Sequence, residues 1–130
     1  MRTFTLAEAN ALLKRVRPLA EALVEHKGSL DEAEAARAEL LGHIAGNGGD
    51  ITPGDVTEAA ERVRSEAAEL AGILDELQGY GVRVKDLDLG LLDFPSVRDG
   101  EPVLLCWQVG EAEIGYWHGQ EEGYAGRKPL

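Results

Sequence analysis

Both tryptophans, the only cysteine and one of three histidines fall between Leu105 and His118, in a chain otherwise built largely from Ala, Leu, Glu and Arg. Cys106 offers a nucleophile if a neighbouring His or cation lowers its pKa. Its other ordinary role is a small buried hydrophobe. Asp93, Glu113 and His118 together offer the oxygen and imidazole donors of a divalent metal site, although their spacing matches no established metal motif. Glu111 and Glu113 have the types of an acid–base pair, and Glu111 also reads as a solvated turn residue. His118 has a second reading, a pH-sensitive bond to Glu121 or Glu122. Arg127, in Gly126-Arg127-Lys128-Pro129, suits an anion or an ion pair with the chain's own acids.

Strands and turns must position these groups. Val82 and Val84 alternate with Arg83 and Lys85 as a short strand, and residues 85–90 then read as a loop. Three further strands are predicted near Leu91–Val97, Pro102–Val109 and Ala112–His118. Asp99-Gly100 is a two-residue hairpin signal, which pairs Arg98 with Glu101, Phe94 with Leu105 and Asp93 with Cys106. Gly110-Glu111 reads as the next tight turn, pairing Trp107 with Ile114 and Cys106 with Gly115. Paired residues share a face. One face then collects Leu92, Phe94, Val103, Leu105, Trp107, Ile114 and Tyr116 and should pack on helices. The other collects Leu91, Asp93, Leu104, Cys106, Gln108, Glu113, Gly115 and Trp117, and is the expected pocket or partner surface. His118 falls on the side away from the two acids in this register.

Two helices precede the strands. Thr5 and Glu8 form a capping box, followed by a 3–4 stripe through Leu6, Ala9, Leu13, Val16, Ala20 and Leu23. Pro18 should bend this helix, and Gly28-Ser29 is a second weak point before Leu30, Ala33, Ala36, Leu40 and Ile44. Gly46–Asp50 is a turn by composition; it follows no strand and lacks a Gly-Lys-Ser/Thr ending, so it is no phosphate loop. Thr52, Pro53 and Asp55 start the second helix, and Gly79 ends it after a heptad run from Val56 to Leu77. As continuous helices the two would span roughly 58 Å and roughly 33 Å. The longer stripe needs cover, either by folding back near Gly28 or from a second subunit, and a homodimer is the expected solution.

The 24 acids against 13 bases give a net charge of −11, which repels nucleic acid and anionic lipid. Residues 1–81 hold 15 acids and 8 bases and residues 82–130 hold 9 and 5, so neither part is basic. A lone cysteine forms no internal disulfide and suits a reducing cytoplasm. No apolar run reaches membrane-spanning length and none resembles a signal peptide core.

Several segments together resemble a bacterial family, domain of unknown function 2203. They are Phe4-Thr5-Leu6-x-Glu8-Ala9-Asn10, Val84-Lys85-Asp86, Gly90-Leu91-x-Asp93-Phe94-Pro95, Leu105-Cys106-Trp107-x-x-Gly110-Glu111, Tyr116-Trp117-His118, and Gly123-x-Ala125-Gly126-Arg127-x-Pro129. The resemblance covers essentially the whole chain and implies a cytoplasmic protein without supplying an activity. It implies that Lys85, Asp86, Asp93, Cys106, Trp107, Glu111, Trp117, His118 and Arg127 form one constellation. Members of the family often carry an acid after the Trp-His pair, where this chain has Gly119.

The expected fold is α+β: a long antiparallel α-helical hairpin (residues 1–81), a small antiparallel β-meander packed on it (82–118) and a C-terminal tail (119–130), in a single domain. The leading expectation for function is a non-enzymatic, dimeric binding or scaffold protein using the C-terminal sheet. The rival is a small metal-dependent enzyme or ligand binder using Asp93, Glu113 and His118. A divalent metal is the one candidate cofactor. The expected partners are a second copy of the chain, another protein or a small ligand, with no nucleic acid and no membrane.

Overall fold

A computed structural model describes residues 2–46 and 49–130. Asn47 and Gly48, in the turn expected at Gly46–Asp50, lie outside the described residues. The chain divides into two compact units, Met1–Val24 with Ile73–Leu130, and Glu25–Gly72.

Helix α1 covers Leu6–Ala45 and α2 covers Pro53–Gly79. The capping box that starts α1 is closed in both directions, by Glu8 N–H to Thr5 Oγ1 at 3.1 Å and Thr5 N–H to Glu8 Oε1 at 2.9 Å. Thr52 and Asp55 repeat the arrangement at α2, with Asp in place of Glu, at 3.1 and 2.9 Å. The stop of α2 lies slightly beyond Gly79. Gly81 takes φ +88°, and its N–H bonds Gln78 O while Val82 N–H bonds Leu77 O, a Schellman closure that only a residue tolerant of positive φ completes cheaply.

Helix α1 passes through Pro18 and Gly28-Ser29 without interruption, which overturns a fold-back at Gly28. An interior glycine costs about 1 kcal/mol relative to alanine, too little to break a helix whose stripe is buried elsewhere. Ala9, Leu13, Val16, Ala20 and Leu23 are all buried.

In the unit Glu25–Gly72, His26 Nδ1 lies 2.8 Å from Glu66 Oε2 across the two helices. The Glu66 carboxylate bonding the ring raises the His26 pKa above its ordinary 6.5. A raised histidine stabilises fully below its unfolded value of about 6.5, and that contribution is lost as pH climbs through the folded value. His26→Gln should therefore flatten the decline in urea stability that sets in as pH rises above about 6.5. The partial exposure of both side chains limits the effect to below about 1 kcal/mol.

The other unit carries a five-stranded antiparallel sheet in sequential order: β1 Arg83–Asp86, β2 Leu91–Arg98, β3 Glu101–Gln108, β4 Tyr116–Gly119 and β5 Lys128–Pro129. Asp99 (φ 52°) and Gly100 (φ 79°) make the two-residue turn, and β2 and β3 pair in the expected register, Asp93 with Cys106 and Phe94 with Leu105.

The β3–β4 register differs from expectation by one residue. Cys106 pairs with Tyr116, Leu105 with Trp117 and Leu104 with His118. Gly110-Glu111 does turn the chain, with Glu111 N–H on Gln108 O at 3.1 Å, yet no tight hairpin follows. Helix α1 claims the next residues instead: Asn10 Oδ1 accepts from Ile114 N–H at 2.9 Å, and Arg17 donates to the Ala112 carbonyl. Pairing resumes only at Tyr116. A one-residue slip exchanges the faces of a strand, so Tyr116 and His118 join the Asp93–Cys106 face and Trp117 joins the Leu105 face.

The same contacts answer the mismatch in helix length. Phe4 N–H bonds Pro95 O at 2.7 Å, Ser96 Oγ bonds Phe4 O at 2.5 Å, and the Phe4 and Phe94 rings meet edge to face at 5.7 Å. The start of α1 is thus covered by its own chain's sheet.

Candidate metal centre and its cavity

Asp93, Cys106 and His118 come from three neighbouring strands and are all buried. Asp93 and Cys106 are directly paired, and His118 stands one row away, opposite Leu104, so the three share one sheet face. One donor atom from each lies within 4.8 Å of the other two. Asp93 Oδ1 is 3.0 Å from His118 Nε2, and Asp93 Oδ2 is buried with no hydrogen-bond partner.

The histidine's second contact fixes its tautomer. Nδ1 lies 2.9 Å from the Gly119 carbonyl oxygen, which can only accept, so Nδ1 carries a proton. A neutral ring then turns the Nε2 lone pair toward the Asp93 carboxylate. Two lone pairs at 3.0 Å require something positive between or beside them, either a second proton or a metal cation. Orientation of a ligating histidine by a backbone carbonyl on its far nitrogen is the usual outer-shell arrangement of a metal site.

This geometry does not make Cys106 a nucleophile. Neither imidazole nitrogen is available to it, and burial pushes its thiol up to about 11, with nearby Arg127 pulling down and Asp93 pulling up. Arg127 is held over Cys106's strand partner Tyr116, 4.0 Å above the ring, and bonds Glu111 Oε1 at 2.7 Å. Glu111 also accepts from Gln108 N–H at 2.8 Å, and its carbonyl accepts from Trp107 Nε1 at 2.9 Å. Trp107, Glu111 and Arg127 are therefore one hydrogen-bonded group adjoining the cysteine.

A cavity of about 280 Å³ opens beside Asp93 and His118, lined also by Lys85, Asp86, Leu91, Glu122, Gly123 and Tyr124. Of the expected constellation, Trp117 stands apart on the other sheet face, between Arg98 and Lys128 at 4.7 and 4.6 Å from its ring. Glu113 is a correction to the expected ligand set. It is exposed in the loop before β4, beside Asn10, Lys14 and Arg17, and Cys106 takes its place among the gathered donors. The alternative reading that pairs His118 with Glu121 or Glu122 gives way to the imidazole's contacts with Asp93 and Gly119; Glu122 is engaged elsewhere. It accepts from Gly119 N–H at 2.9 Å and Lys128 Nζ at 2.8 Å, and these bonds lower its pKa, Lys128 foremost. No periodicity in the tail places Gly123 and Tyr124 at this cavity, although Gly123 belongs to a segment that carries the family resemblance.

The model of the family described as Uncharacterized conserved protein (DUF2203) matches residues 2–130. Neither a curated protein nor a solved structure matches the chain.

Proposed function

With a match across nearly its whole length, the chain belongs to the DUF2203 family, and we propose that it is a metal-dependent small-ligand binder holding a zinc-like ion on Asp93, Cys106 and His118. The observation that carries the reading is the facing of His118 Nε2 and Asp93 Oδ1 at 3.0 Å beside an unpartnered Asp93 Oδ2 and a buried thiol. Ligands of one zinc ion lie roughly 3–4 Å from each other, so the carboxylate–imidazole pair is already at that spacing and the thiol needs a small adjustment. Sulfur in the donor set favours zinc-like ions over magnesium or calcium. Three protein donors leave a fourth position, which is the pattern of a metal that meets an exogenous ligand rather than one sealed for structure. The adjoining cavity supports that assignment. The test is cobalt substitution. Co²⁺ should produce the near-ultraviolet charge-transfer absorption of a thiolate ligand, lost in Cys106→Ser. A cobalt spectrum unchanged by that substitution removes Cys106 from the site.

A dimeric scaffold is a second reading. Exposed Leu41 and Ile44 on α1 support it, although the length mismatch that favours a dimer is met within the chain at the start of α1. Light scattering at micromolar concentration should then report about twice the 14.0 kDa chain mass. A mass of one chain overturns self-association.

A further inference from the structure

The cavity beside Asp93 and His118 is lined by both Lys85 and Asp86, although the side chains of adjacent residues in a regular strand alternate across the sheet. The cause is a break in the β1–β2 ladder. Arg83 pairs with Asp93 and Val84 with Leu92, but Asp86 then pairs with Leu91, leaving Lys85 as the extra residue of a bulge. Bulges re-aim side chains and are over-represented beside active sites. Here the irregularity brings Lys85, a cationic residue, into the cavity's lining.

The other charged lining groups are occupied. Asp86 Oδ1 accepts from the N–H groups of Asp88 and Leu89, at 2.8 and 2.9 Å, and holds the following loop. Glu122 is bound by Gly119 and Lys128. Asp93 and His118 face each other. Lys85 is exposed and has no hydrogen-bond or ion-pair partner among the described residues. Uncommitted cation, bulge and cavity thus coincide at one place. The roughly 280 Å³ lies at the lower edge of ordinary ligand pockets, about 300–1,000 Å³, and suits a small molecule.

We infer that the cavity binds a small oxyanion, a carboxylate or a phosphate, with one oxygen on the metal's open position and the anion's charge met by Lys85. This rests on the metal reading above and adds the chemical class of the ligand. The ammonium supplies what the metal alone does not, a second fixed charge that sets orientation. A charge-assisted hydrogen bond of this kind is worth about tenfold or more in affinity.

The experiment uses the full chain loaded with Co²⁺, titrated separately with inorganic phosphate and acetate while the visible cobalt spectrum is followed. Wild type should show a saturable change with at least one of the two, and the probe that acts tells phosphate from carboxylate. Lys85→Met should bind that probe about tenfold more weakly, with the thiolate charge-transfer absorption and the melting temperature unchanged. Lys85→Arg should retain most of the affinity. No response to either anion, or equal affinity in Lys85→Met, overturns the inference while the charge-transfer absorption still stands for the metal. A wild-type spectrum without that absorption defeats the metal reading and this inference with it.

Discussion

Adding Zn²⁺ at about a thousand times its dissociation constant should raise the melting temperature by about 10–20 °C, and His118→Ala should remove most of the rise. An ion bound only by the folded chain contributes about 4 kcal/mol at that excess. Each kcal/mol moves the midpoint of a domain of this size by several degrees. His118 supplies one of three donors, and its loss should weaken binding beyond the roughly 10–100-fold that follows loss of an outer-shell partner. Cys106→Ser and Asp93→Asn should act in the same direction. Glu113→Ala is the informative control, because its carboxylate lies in the loop before β4, outside the cluster, and its removal should leave the shift intact. A shift lost in Glu113→Ala and retained in Cys106→Ser would restore the ligand set expected from residue types, Asp93, Glu113 and His118. EDTA should return the wild type to its metal-free midpoint.

That control marks the line between what local sequence encodes and what it does not. Asp99-Gly100 was legible because the signal is contained in two residues able to take positive φ, and everything in the β2–β3 register follows from it, including the Asp93–Cys106 pair. The capping boxes at Thr5 and Thr52 were legible for the same reason, since each closes within four residues. Gly110-Glu111 looked equally local. Its outcome depends on Asn10 and Arg17, about a hundred residues earlier, which bind the backbone of Ile114 and Ala112 and delay the pairing of β4. No pattern within residues 105–118 contains that information. Because side chains alternate along a strand, the delay of one residue carried His118 from the far face to Asp93, and so decided whether the three donors meet at all. Whether α1 runs on through Gly28 or folds back there was open in the sequence for a related reason. A glycine's intrinsic cost of about 1 kcal/mol is small beside tertiary packing, and the cover for the start of α1 came from a sheet whose docking the helical stripe alone does not reveal.

Trp107→Ala should cost about 3–5 kcal/mol of unfolding free energy, the range for deleting a large core aromatic. Trp107 is fully buried on the Leu92–Phe94–Leu105 face, and its Nε1–H bonds the Glu111 carbonyl at 2.9 Å. The substitution leaves a cavity that strands already paired on both sides of Leu105 and Cys106 cannot collapse to fill. Trp107→Phe keeps most of the ring and loses the hydrogen bond, for which about 1 kcal/mol plus a smaller packing loss is expected. Trp117 provides the contrast. It shares the Leu105 face but is only partly buried, with Arg98 and Lys128 stacked on it. Exposed cation–π contacts are worth about 0.5–1 kcal/mol each, so Trp117→Ala should cost about 1–2 kcal/mol. Urea unfolding of the metal-free protein measures both, since bound metal would add its own stabilisation to whichever variant retains the site. If Trp117→Ala proved the more damaging of the two, β4 would sit one residue out of the register that pairs Leu105 with Trp117. His118 would then return to the opposite face, and the metal centre would lose its imidazole.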